Sequence, residues 1–178
     1  MRTLILLLFT LTPLTLLQAA STHQHGVAQL DLVLEPPMLA IGFSSPLANL
    51  NGYEHQPVSA EERQAWSRLL AQLKNADALI QLPAHADCSL SRVDLHLPFT
   101  TDKGEHDHRH TTDAHHPQHA DLMAEYLYLC ANSTAITQLV LPLLPAFPAI
   151  ERLNVQLITP AGQHSSTLTQ GQTELQLP

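Results

Sequence analysis

The amino-acid sequence predicts an α+β fold: an antiparallel β-sheet packed by one long helix, with a long His-rich loop at a hairpin tip. Three observations lead there. Most apolar runs alternate with period two, as half-buried strands do. A single segment, residues 60–78, repeats its apolar residues at helical spacing behind a capping signature. Two strand-like segments, each containing one cysteine, flank residues 98–120, a connection longer than the roughly 12–15 residues usual for structureless loops in compact domains.

Residues 1–20 come first. Met1-Arg2 is a short charged head, LILLLFTLTPLTLL an apolar stretch, and Ala19-Ala20 a small-residue cleavage site, which together read as a secretory signal peptide. A membrane anchor fits less well. The apolar run is interrupted by Thr10, Thr12, Pro13 and Thr15, short of the roughly 20 residues a spanning helix needs. Cleavage leaves residues 21–178, enough for one domain with a real core and too few for two. Loss of Arg2 leaves 7 Lys+Arg against 16 Asp+Glu, a formal charge of −9. That balance excludes nucleic acid and anionic membrane as natural partners of the mature chain and suits the attraction of cations.

The strands follow. Residues 27–34 (VAQLDLVL) put Leu30, Leu32 and Leu34 on one face, Pro36-Pro37 interrupts, and residues 38–43 alternate again, which predicts an antiparallel hairpin. Residues 44–57 (SSPLANLNGYEHQP) read as an irregular connection. The helix starts at the capping box Ser59-Ala60-Glu61-Glu62, and Trp66, Leu69, Leu70, Leu73 and Ala76 form its apolar stripe, with Trp66 as a core anchor. A short strand is expected at 79–82, and longer ones at 88–97 (CSLSRVDLHL) and 121–130 (DLMAEYLYLC). The last third reads as mostly β, with strands at 139–143, 153–159, 166–170 and 174–177.

Cys88 and Cys130 are the only cysteines, and export places both in an oxidising compartment, so a Cys88–Cys130 disulfide is expected. It would close the base of a long hairpin. Residues 104–119 (GEHDHRHTTDAHHPQH) then occupy the tip, and they hold half of the twelve histidines: His106, His108, His110, His115, His116 and His119.

Neutral imidazole is the commonest protein ligand for metals, and closed zinc sites take four ligands, so six imidazoles can complete one site or contribute to two. The spacing leaves the backbone open: His106, His108 and His110 share a face if extended, whereas His106/His110 and His115/His119 are i, i+4 pairs if helical. A solvated polar loop and a pH-responsive loop are the competing readings. Ligation by imidazole without free thiolate favours Zn²⁺, although a mature terminus at Ser21-Thr22-His23 would offer Cu²⁺ or Ni²⁺ a square-planar nitrogen site. His23 and His25 otherwise become additional ligands. His55, beside Glu54, is a further candidate, while His85, His96 and His164 are read as structural or surface residues.

Enzymatic signatures are missing from the sequence. HDHRH at 106–110 differs from the H-x-H-x-D-H ligand run of metallo-hydrolases, because His110 stands where Asp should be. There is no H-E-x-x-H, no G-x-S-x-G and no glycine-rich phosphate loop. The chain therefore reads as a non-enzymatic metal-binding protein; a structural or interaction module is the other class.

Several stretches together resemble the zinc-regulated gene A family of Gram-negative periplasmic proteins. They are His25-Gly26-Val27-Ala28, the run from Ser45-Pro46-Leu47 through Asn49 and Gly52-Tyr53-Glu54 to His55, the central His-rich insertion, Tyr126 to Cys130, and Phe147-Pro148 through Val155-Gln156 to Gly162-Gln163. The resemblance implies a periplasmic protein that binds Zn²⁺ and assists its acquisition, passing the ion to the solute-binding protein of an ABC importer. It also implies that the metal region is the loop carrying the six histidines from His106 to His119.

Overall fold

A computed structural model describes residues 24–99 and 120–177. The first two strands, β1 (Val27–Glu35) and β2 (Met38–Pro46), form the expected hairpin, turned by Pro36 and Pro37 with a cis peptide bond between them. β3 (Cys88–His96) and β4 (Asp121–Cys130) form the second hairpin, in a register that sets Cys88 opposite Cys130; the two are disulfide-bonded. With β6 (Arg152–Thr159) and β7 (Gly162–Thr169) they make a six-stranded sheet ordered β3-β4-β2-β1-β6-β7. β5 (Gln138–Val140) and β8 (Glu174–Gln176) pair separately as a small second sheet.

The α+β class holds, but the sheet is mixed rather than wholly antiparallel. β1 and β6 run parallel, from Val27 beside Arg152 to Val33 beside Ile158. Parallel neighbours require a long crossover, and here the chain between them builds most of the domain before returning. Such a pairing leaves no local trace, because strand alternation is the same for either direction.

Helix α2 (Ala60–Lys74) is the long helix, and its start is as the sequence predicts: Ser59 Oγ accepts from Glu62 N at 3.0 Å, and Glu62 Oε2 accepts from Ser59 N at 3.0 Å and Val58 N at 2.8 Å. It ends four residues earlier than expected. Asn75 leaves helical geometry, and residues 76–78 form a separate 3₁₀ turn that still buries Ala76. The irregular connection also needs correction, since it contains a short helix α1 (Leu47–Asn51), closed by Gly52 at φ 86°. The strand expected at 79–82 reduces to a single bridge between Gln81 and Val140.

The core lies between α2 and one face of the sheet. Leu30, Leu32, Leu39, Ile41, Phe43, Leu122 and Tyr126 point inward to meet Leu69 and Leu73, while Trp66 is half-buried against the same cluster. Tyr126 Oη donates to Leu73 O at 2.8 Å, fastening β4 to the helix. A second short helix on this side, α3 (Leu143–Ala146), leads to Phe147, which stacks on Phe43 with ring centroids 6.4 Å apart. Burial raises the hydroxyl of Tyr126 well above the ordinary tyrosine range and that of Tyr128 to about 12. Among the described residues no helix is long and apolar enough to cross a membrane.

Candidate metal centre

Strand directions gather several chemistry-bearing residues at one end of the sheet. β3 runs toward that end and β4 leaves it; β2 finishes there, Pro46 lying opposite Asp121, and β1 begins there. Residues 100–119, with His106, His108, His110, His115, His116 and His119, lie outside the described residues, as does His23. Their attachment points do not. Ala120 O accepts from Leu47 N, the first residue of α1, at 2.8 Å. At the other attachment, the Phe99 ring lies 6.3 Å from that of Trp66 on α2.

The start of β1 is held by a buried amide. Asn49 of α1, only 4% exposed, accepts from Gly26 N at 2.8 Å and donates to Val27 O at 3.0 Å and Ser45 Oγ at 3.1 Å. Gly26 O in turn accepts from Glu151 N and Arg152 N. Gly26 has φ +79°, and a Cβ there would meet the Glu151 side chain at 3.2 Å, so glycine suits both the backbone and the space. This clamp aims His25 across α1.

His25 Nε2 lies 3.0 Å from Glu54 Oε1. An ionised carboxylate only accepts hydrogen bonds, so Nε2 carries the proton and Nδ1 keeps its lone pair. That is the arrangement found behind metal-ligating histidines, where a carboxylate fixes ring orientation and raises the basicity of the other nitrogen. His55 is arranged in the opposite sense. Its Nδ1 lies 3.1 Å from Gln56 O, to which it can only donate, and its ring stacks on Tyr53 at 4.9 Å. Nε2 is then the lone-pair nitrogen, 3.8 Å from Glu62 Oε1. Tyr53 Oη donates to Glu62 O at 3.1 Å and so ties this segment to the first turn of α2.

The sequence paired Glu54 with its neighbour His55; the fold gives Glu54 to His25 and sets His55 against Glu62. Among the described residues no group of three or more His, Cys, Asp or Glu side chains converges closely enough to hold a metal ion alone. His25 with Glu54 is thus a hydrogen-bonded pair and not by itself a metal site. His96, on β3, lies 3.5 Å from Glu125, which the sequence did not anticipate because the partners sit on different strands. His85 and His164 are exposed.

No curated protein matches the chain. A family described as "ZrgA family zinc uptake protein" matches residues 22–177. That description concerns the uptake of zinc, not a chemical reaction, and it agrees with a chain lacking enzymatic motifs and rich in imidazole. The disulfide agrees with an oxidising compartment. The chain belongs to the ZrgA family of zinc uptake proteins.

Proposed function

We propose that this protein, after removal of residues 1–20, works in the periplasm as a single-domain, non-enzymatic zinc collector. The imidazoles of His106, His108, His110, His115, His116 and His119 capture Zn²⁺, and His25, with His23 close by in sequence, supplies further nitrogens from the body of the domain. The cargo then passes to an acceptor of higher affinity, such as the solute-binding protein of an ABC importer.

The observation that carries this reading is the common attachment of loop and His25. α1 holds Ala120, the residue that follows the His-rich segment in sequence, through the Leu47–Ala120 bond, and holds Gly26, the residue after His25, through Asn49. Imidazoles that follow one another toward this helix in sequence are suited to share an ion with His25, and sharing ligands between two parts of the chain lets the ion leave stepwise. Zinc affinity must also fall with acid, because metal and proton compete for the same nitrogens.

Deletion of residues 104–119, followed by calorimetric titration with Zn²⁺, tests the proposal. A large loss of bound zinc per chain is expected, with the disulfide-bonded body still folded by circular dichroism. Unchanged stoichiometry and affinity would overturn it.

A further inference from the structure

The second face of the six-stranded sheet has its own organisation. α2 and the core cover one face; none of the described helices packs on the other. Register lines up its outward residues in rows across the strands. One row reads Asp94, Glu125, Gly42, Asp31, Gln156 and Ser165 from β3 to β7. The next row along reads Arg92, Leu127, Ala40, Val33 and Ile158. Beyond that lie Leu129, Met38 and Glu35.

A further row, His96, Met123, Ser44 and Gln29, lies on the other side of the first, and two features of this face are not those of an ordinary solvated one. Met38, Met123, Leu129 and Ile158 are each more than 40% exposed and are four of the six exposed large hydrophobics among the described residues. Gly42, in the centre, leaves a gap between Asp31 and Glu125. The gap is part of a depression of about 240 Å³ walled by those two carboxylates, Asp94 and Arg92, with Ala40, Val33 and Leu127 as its apolar side. Arg92 is already paired with Asp94 at 2.7 Å and His96 lies 3.5 Å from Glu125, while among the described residues no such cation stands beside Asp31, so the face is acidic on balance around an apolar strip.

We infer that this face docks a partner protein that presents basic side chains among apolar ones, with a Lys or Arg lying over Gly42. The aliphatic stem of such a side chain fits against Ala40, Val33 and Leu127, and its cationic head falls between Asp31 and Glu125. A second copy of this chain fits poorly, because a two-fold contact would bring the same carboxylates together. An anionic lipid surface is repelled for the same reason. The inference does not depend on where zinc binds.

The test uses the isotope-labelled full mature chain, titrated by amide NMR with an alternating Lys-Leu octapeptide and, separately, with a Glu-Leu one. Expected are shifts grouped on Asp31, Gly42, Glu125 and Leu127 with the Lys-Leu peptide alone. Gly42→Val fills the gap without altering charge; its φ is not left-handed and a Cβ would meet Asp31 Cβ at 4.0 Å, an ordinary contact. That variant, and separately the pair D31N/E125Q, should each weaken binding about tenfold, with zinc titration unchanged. Shifts scattered over the surface, equal binding of both peptides, or a Gly42→Val protein that binds as before would overturn the inference. So would sedimentation showing a dimer that Gly42→Val dissociates.

Discussion

His25 Nε2 and Glu54 Oε1 lie 3.0 Å apart although 29 residues separate them in sequence. The carboxylate accepts a hydrogen bond from Nε2–H, so Nδ1 keeps the lone pair through which the proposed zinc binding would run. Replacing Glu54 by Ala should weaken zinc binding about tenfold, within the range such outer partners command; Gln, which also accepts a hydrogen bond, should restore most of it. Competition against a chromophoric chelator reads the affinity, and ¹⁵N shifts of the His25 ring report the tautomer. Affinity that is insensitive to both substitutions would remove Glu54 and His25 from the site.

Asn49, 4% exposed, holds the same segment through two hydrogen bonds, to Gly26 N and Val27 O, and makes a third to Ser45 Oγ. Asn49→Ala leaves the Gly26 amide and the Val27 carbonyl without those partners, at a cost of about 1–3 kcal/mol for each group that stays unsatisfied. Urea denaturation should show a fall of about 2–3 kcal/mol. If stability drops but zinc affinity does not, the clamp supports the fold without aiming His25.

The Cys88–Cys130 bridge spans 42 residues of sequence. Loop entropy alone assigns it about 4 kcal/mol, and the β3–β4 ladder, which already holds the ends together, reduces the loss on cutting it to about 2–4 kcal/mol. Denaturation of the C88S/C130S variant, compared with the oxidised parent, measures this. A loss under 1 kcal/mol would mean that strand pairing does the work of closure.

Two pH limits follow from opposite signs. The Ser59 and Val58 amides hold the Glu62 carboxyl below its usual range, so its contribution to α2 is present above the unfolded carboxyl's pKa and disappears as pH falls through the lowered one. Tyr126 and Tyr128 are raised by burial, so the unfolded chain ionises first and stability declines as pH climbs above about 10. Thermal melts across pH should show both edges. Ser59→Ala should cost about 1 kcal/mol at neutral pH, and Glu62→Gln should flatten the acid edge.

What could be read from the chain by itself was whatever a local rule encodes. The capping box from Ser59 to Glu62 names its own partners within one turn. Strand alternation at 27–34 and 121–130 states which residues face the core, and the chain's two cysteines have only each other. The composition of residues 104–119 pointed to metal; the family's description names zinc uptake for the chain as a whole. Tertiary structure alone decided the rest, because those relations join residues that no local rule connects. The parallel pairing of β1 with β6, the assignment of Glu54 to His25 rather than to His55, and the alignment of Asp94, Glu125, Gly42 and Asp31 in one row all depend on strand order and register. A one-residue slip would turn every outward side chain inward. Register is set by the packing of the whole core, so the sites built on it become legible only once the chain has folded.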